Sequence, residues 1–303
     1  MAKVIIAIHG LRNKPPKEML KGMAMKSINE GIEKLDIDIK LPKIELVYWA
    51  DILFDKPLSP DVKDKKSPYY IDEYYTPEPE NYKIETHNIK EKSISVLKKA
   101  VYKTFLTKDY KLRYPAFSRN FLHKNFHEME VYFSENCAET RSLNCALKKK
   151  INDRMIEALQ KHKNDEILLI AHSMGSIIAF DVLSFIAKEA KVHTFVTIGS
   201  PLGAPFVVSR IAKAYKKTHQ GHIKLQTPEA VKKHWFNFSD INDNIALDHK
   251  LADEFKPNST GVKVIDQLVH NTYHMNGIAN PHKSFGYLRT PEVIQTIAHF
   301  LED

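Results

Sequence analysis

The run Ile167-Leu168-Leu169-Ile170 leads directly into Ala171-His172-Ser173-Met174-Gly175, and Ser176-Ile177-Ile178-Ala179-Phe180 leads out of it. Four consecutive apolar residues read as a buried strand, whereas the apolar positions after Ser176 fall at helical spacing, so Ser173 stands on a strand-to-helix corner. Such a corner forces the serine into a strained backbone conformation and lifts its hydroxyl above the sheet edge. Small residues must flank it, and Ala171 and Gly175 stand two positions to either side, where a larger side chain would collide as the helix folds back across the strand. The alanine departs from the first glycine of G-x-S-x-G by one methyl group. Taken alone, the pentapeptide also fits an ordinary serine at a helix start, where serine is a favoured cap.

Outward from this corner, Val4 to Ile8, Ile44 to Trp49, Phe195 to Ile198 and Trp235 to Phe238 read as further strands. Helical patterns run over about Glu18 to Lys34, Ser142 to His162, Ser176 to Ala190 and Pro291 to Leu301, the last opening on a proline as first turns often do. Strands alternating with helices predict an α/β protein with a mostly parallel central sheet flanked by helices, in one domain spanning 1–303. The stretch from Ile52 to about Glu128 interrupts that alternation. It is rich in Tyr, Lys and Pro; Ser67-Pro68-Tyr69-Tyr70 and Thr76-Pro77-Glu78-Pro79 read as irregular chain, and Ile94, Leu97, Val101 and Phe105 fall on one face of an amphipathic helix. A loop of this length in a compact domain reads as a lid-like insertion, and a smaller one is expected between Val207 and Ala230.

Composition narrows the function classes. No apolar run approaches the roughly 20 residues needed to span a bilayer, and the five apolar residues Val4 to Ile8 are too few for a secretory signal, so a soluble, cytoplasmic protein is expected. Cys137 and Cys145 lie close together and read as free thiols. The formal charge of +8 is concentrated: Lys90 to Lys124 holds eight lysines and two arginines against two acids, which already equals the charge of the whole chain. Such a segment could meet an anionic membrane surface or acidic substrates, or be no more than a solvated basic helix. No nucleic-acid module accompanies it, so no nucleic-acid partner is expected. Neither H-E-x-x-H nor paired-cysteine spacing occurs, and the chemistry below needs no metal or cofactor.

If Ser173 is a nucleophile, it needs a base, an orienting acid and oxyanion donors from other strand ends. His9-Gly10-Leu11-Arg12 ends the first strand, with the glycine expected to let the backbone turn, so the backbone N–H groups of Leu11 and Met174 are the expected oxyanion donors. The segment from Trp235 to Ala246 places a strand and then two carboxylates. Asp243 is preferred as the acid because Ile245-Ala246 can pin it, while Asp240 is expected to cap the turn and Asp248 and Asp266 are lesser alternatives. For the base, His282 lies in Asn280-Pro281-His282-Lys283-Ser284-Phe285-Gly286-Tyr287-Leu288, a loop before the final helix, with His274 as competitor. His172 is expected to be packed or hydrogen-bonded away from the nucleophile.

Taken together, Ile8-His9-Gly10-Leu11, Leu169 to Ser176, Thr197 to Gly203, Asp240 to Ala246 and Asn280 to Leu288 resemble the α/β-hydrolase superfamily, and within it the serine esterases and lipases. The resemblance implies carboxylic ester hydrolysis through a Ser173-His282-Asp243 triad and an acyl-enzyme, and a structural role for Ser200. It does not extend to the insertion. There, Tyr69, Tyr70, Tyr74, Tyr75 and Phe105 together with the lysines are expected to receive a lipid or acyl ester substrate. A thioesterase or acyltransferase would use the same residues, and a catalytically silent binding module or a basic membrane-surface protein would share the fold.

Overall fold

The computed structural model describes residues 1–72, 74–79, 105–107, 109–113, 127–133, 143–218, 223, 225–246, 248–275 and 277–303. Its centre is a sheet of six strands, β1 (Lys3–Ile8), β2 (Lys43–Val47), β3 (Glu166–His172), β4 (Val192–Ile198), β5 (Val231–Ser239) and β6 (Val264–Leu268), in the order β2-β1-β3-β4-β5-β6. Every pairing in it is parallel. The order reverses between β1 and β3. That switch point opens a crevice at the carboxyl ends of these two strands, where α/β proteins place their sites.

The inner strands β1 and β3 are near-continuous apolar runs because both of their faces are covered. Side-chain alternation sends Ile6, Ile8, Leu169 and Phe195 to one face, under helices α3 (His127–Tyr132), α4 (Leu143–Lys161), α5 (Met174–Asp181) and α6 (Pro205–Thr218). Ile5, Leu168, Ile170 and Val196 point to the other, under α1 (Lys17–Leu35), α7 (Ser284–Leu288) and α8 (Pro291–Glu302). A fully buried Leu or Phe contributes about 1.5–3 kcal/mol, so this double packing is the main source of the fold's stability. A four-residue helix, α2 (Ala50–Leu53), follows β2, and a hairpin of β7 (His274–Met275) and β8 (Ile278–Ala279) precedes α7.

Several sequence expectations shift. The helix expected over Ser176 to Ala190 begins at Met174, immediately after the nucleophile candidate, and widens into a π-helical turn over Val182–Ile186. Residues 207–218, within the second insertion expected between Val207 and Ala230, instead belong to α6, the crossover that a parallel β4–β5 connection requires. His282 does lie in a loop, but Ser284–Leu288 already forms a short helix of its own. Strand β6 escaped the sequence reading. Val264-Ile265-Asp266-Gln267-Leu268 is an edge strand with Ile265 and Leu268 more than a third exposed, so its apolar signal is diluted.

Between β2 and β3 the described residues of the Ile52 to Glu128 stretch are irregular apart from the last turn of α2, isolated bridges pairing Ser59 with Tyr70 and Leu106 with Leu112, and the start of α3. Residues 74–79 are strapped to the α1 side: Arg289 donates to Glu30 (3.3 Å) and the Thr76 carbonyl (3.0 Å), and the Tyr273 hydroxyl donates to the Tyr74 carbonyl (2.6 Å). At the far end, the Tyr132 hydroxyl lies 2.9 Å from Asn152 Oδ1 and 3.0 Å from Asp181 Oδ2, fixing α3 to α4 and α5. The helix expected around Ile94 to Val101, most of the basic stretch Lys90 to Lys124, Cys137 and the Cys145 side chain lie outside the described residues. Among the described residues no helix is long and apolar enough to cross a membrane.

Candidate active site

At the end of β3 the chain turns through Ser173, whose φ of 53° and ψ of −125° lie where a non-glycine residue is strained by about 1–3 kcal/mol. The surroundings over-determine this conformation. Ser173 N–H donates to the Ile198 carbonyl (3.1 Å), and the Ser176 hydroxyl donates to the Ser173 carbonyl (2.6 Å). Ser200 stands behind Ser176, hydroxyl to hydroxyl at 2.7 Å, and accepts the Leu202 N–H at 3.2 Å. Gly175 is demanded by proximity, since a Cβ there would lie 2.7 Å from the Ile8 carbonyl oxygen and 2.8 Å from that of His9.

Two loops converge on the serine. The Ser173 hydroxyl lies 3.0 Å from His282 Nε2 and donates to it, while His282 Nδ1–H donates to Asp243 at 2.8 Å from Oδ2 and 3.0 Å from Oδ1. Asp243, almost fully buried, also accepts the N–H groups of Ile245 (2.8 Å) and Ala246 (3.2 Å) and the Tyr287 hydroxyl (2.8 Å). Burial alone would raise its pKa. The hydrogen bond and charge of His282, with the Ile245 N–H and Tyr287, outweigh that and hold the carboxyl below its ordinary range. Tyr287 is itself fixed by accepting the Asp240 N–H (2.9 Å), and its buried hydroxyl is pushed well above the usual phenol range, so it remains a donor.

The other carboxylates and histidines weighed from sequence are engaged elsewhere. Asp240 accepts the N–H groups of Asn242 (2.7 Å) and Asn271 (2.6 Å), and Asp248 that of Lys250 (3.0 Å). Asp266, on β6, caps the 3-10 turn Leu251–Asp253 through Leu251 and Ala252 N–H at 2.9 Å each. His274 donates to the Thr272 carbonyl (2.6 Å). His172, which lines the same cavity, is hydrogen-bonded to the backbone of the base candidate: Nε2–H donates to the His282 carbonyl at 2.8 Å, the two rings 4.9 Å apart.

The loop after β1 closes the site from the opposite side. Gly10 is needed here for close approach, because a Cβ would stand 2.8 Å from that of Ser173; the turn in a left-handed conformation falls two residues later, at Arg12 (φ 71°). This corrects the expectation that the glycine does the turning. His9 anchors the loop by stacking on Trp49 (4.9 Å, 12°), donating from Nδ1 to the Gly10 carbonyl (2.8 Å) and accepting the Trp49 N–H at Nε2 (3.1 Å). Burial, with Lys14 nearby, lowers its pKa to about 3, so the ring is neutral and keeps this tautomer. Leu11 lines the cavity beside Ser173, and Met174, first residue of α5, has an N–H that the helix itself cannot pair. Sequence reasoning missed Trp49 and Tyr287 as supports. A buried aromatic with a polar tip needs a partner, which is the signal both carried.

These loops face a cavity of about 700 Å³ containing Ser173 and His282. Segment 52–128 contributes Phe54, Leu58, Tyr70, Asp72 and Glu128 to its walls. Of the aromatic residues expected to receive a substrate, Tyr70 reaches the cavity. Tyr75 instead packs edge-on against Phe285 and bonds Glu30, Tyr69 bonds Asp55, and Tyr74 is exposed.

Residues 86–284 match the family model described as PGAP1-like alpha/beta domain. The chain belongs to this PGAP1-like family. It is therefore a member of the α/β-hydrolase superfamily, a hydrolase-type lineage, in agreement with the parallel sheet and its helical layers. The PGAP1-like match takes in β3 to β6 and Ser173, Asp243 and His282, and begins after β1, β2 and the His9 to Lys14 loop. Comparison with curated proteins and with solved structures gave no match.

Proposed function

We propose that the protein is a serine hydrolase of carboxylic esters, acting through a Ser173-His282-Asp243 triad and an acyl-enzyme. The observation that carries this reading is the unbroken chain of hydrogen bonds from Asp243 through His282 to a serine on a strained elbow. His282 Nε2 takes the Ser173 proton as Oγ bonds the ester carbonyl carbon. Collapse of the tetrahedral intermediate breaks the bond to the alcohol oxygen, which leaves with the proton from His282. Water, deprotonated by His282, then attacks the acyl-enzyme and releases the carboxylic acid and free Ser173. Backbone N–H groups of Leu11 and Met174 stabilise the oxyanion, each such donor contributing about 2.7–4 kcal/mol. Asp243, kept ionised by its donors, holds the tautomer and charge of His282.

Residues 52–128 act in this reading as a wall and lid of one domain, supported by the side chains they give to the cavity. A fluorophosphonate probe tests the function directly. Wild-type protein is labelled and hydrolyses p-nitrophenyl esters, and Ser173→Ala does neither; an unlabelled, inert wild type favours the non-catalytic binding module.

A further inference from the structure

Beside Ser173 the same cavity carries Arg12, Lys14, Lys65 and Lys283 against the carboxylates of Asp72 and Glu128. The cations are built into the site's own loops. Lys14 donates to the carbonyls of Leu11 and Arg12, the latter at 3.2 Å, and Lys283 directly follows His282 with its ammonium 5.4 Å from the Phe285 ring centre. Arg12 occupies the left-handed turn of the same loop. Burial and mutual repulsion work against these charges even with the two carboxylates present: Lys14 is lowered to about 7 by burial, Lys283 and Arg12, and Lys283 to about 8 by burial and Arg12. Like charges gathered in a partly water-excluded cleft raise the local potential, and an anion seated among them relieves that repulsion.

We propose that the ester cleaved at Ser173 carries an anionic group, a phosphate or a carboxylate, a few bonds from its scissile carbonyl, and that Arg12, Lys14 and Lys283 select it. The inference rests on Ser173 being the nucleophile, and it names the substrate class of that site. The anion neutralises the ammonium and guanidinium groups while the carbonyl sits over the serine, so part of the binding energy fixes the ester's direction in the cavity.

The test compares mono-p-nitrophenyl glutarate, which bears a carboxylate, with neutral p-nitrophenyl pentanoate. Wild type is expected to prefer the charged ester by about tenfold in kcat/KM, and Arg12→Gln and Lys283→Gln each to cut that ratio by about 3–10-fold, mainly through KM. Raising the pH from 7 to 9 raises KM for the charged ester more than for the neutral one, because Lys14 and Lys283 lose their protons. The titratable groups that share the cavity with them are Arg12, Lys65, Tyr70, Asp72, Glu128, His282, His9 and His172; of these, His9 and His172, lowered to about 3, are uncharged throughout. Equal losses on both esters, or a wild-type preference for the neutral one, overturn the proposal.

Binding to Ser173→Ala separates it from the parent reading. Calorimetric binding of glutarate that weakens in Lys283→Gln supports the anion site even if the protein hydrolyses nothing, and no binding overturns it. Inhibition by soluble glycerol phosphate assigns the anion to a water-borne phosphate, inhibition by anionic vesicles alone assigns it to a lipid headgroup, and inhibition by neither, with glutarate bound, assigns it to a carboxylate.

Discussion

Two sets of loops meet at Ser173 and are held by different means. Those after β3, β5 and β8 are fixed by neutral donors: the Ser176 and Ser200 hydroxyls under the elbow, and the Ile245 and Ala246 N–H groups and Tyr287 hydroxyl around Asp243. The loop after β1 is fixed by a histidine stacked on Trp49 and by the Lys14 ammonium inserted among its own carbonyls. The donors of the first set carry no charge to lose near neutral pH, whereas the Lys14 ammonium, lowered to about 7 chiefly by burial, loses its charge there. The difference separates the hydrogen-bonded Ser173-His282-Asp243 set, held mainly by uncharged groups, from a β1 loop whose lysine support carries a titratable charge.

Four substitutions test that contrast. The largest effect is expected from Ser173→Ala, which should lower kcat on a p-nitrophenyl ester by about 10⁶-fold while leaving the circular-dichroism melt nearly unchanged. Next, Asp243→Asn should cost about 10⁴-fold in kcat, because an amide leaves His282 in the wrong tautomer; steady-state kinetics at neutral pH read this directly. On the β1 side, Trp49→Ala should lose about 3–5 kcal/mol of stability by urea titration, since it empties a buried volume and releases His9. Tyr287→Phe should cost less, about 1–3 kcal/mol, by leaving the buried Asp240 N–H without its acceptor.

A pH series gives the gentlest test. His9 and His172 each have a pKa lowered from 6.5 to about 3, chiefly by burial, so the unfolded chain binds a proton that the folded one refuses. Stability is complete above pH 6.5 and falls as the pH drops towards 3, by at most about 1.4 kcal/mol per pH unit for each ring. Thermal melts between pH 7 and 4 should therefore decline, and the decline should flatten in His172→Gln. An unchanged slope in that variant would mean that the contact of His172 with the His282 loop does not depend on a neutral ring.

The elbow was legible in the sequence because it is a local event. A buried apolar run, a small residue, a serine and a glycine dictate strand, corner and helix over fourteen residues, and the structure places Ser173 at positive φ on that corner. Strand β6 was not legible, since an edge strand that is half solvated and interrupted by Asp266 lacks a continuous apolar signature. Gly10 serves proximity rather than the turn that its neighbours suggest, because a distance of 2.8 Å to another loop has no trace in the local sequence.

Hydrophobic periodicity and chain stiffness act over a few residues, so the α/β layering, the parallel strands and a serine at a strand-to-helix corner are already written into the local sequence. Long-range packing sets Asp243, the carboxylate preferred from sequence, against His282 while Asp240, Asp248 and Asp266 are engaged elsewhere, and it gathers Arg12, Lys14 and Lys283 into one cavity with Ser173. Chemically equivalent carboxylates and ammonium groups differ only in what surrounds them, and residues some 270 positions apart become neighbours only when the sheet brings its carboxyl ends together.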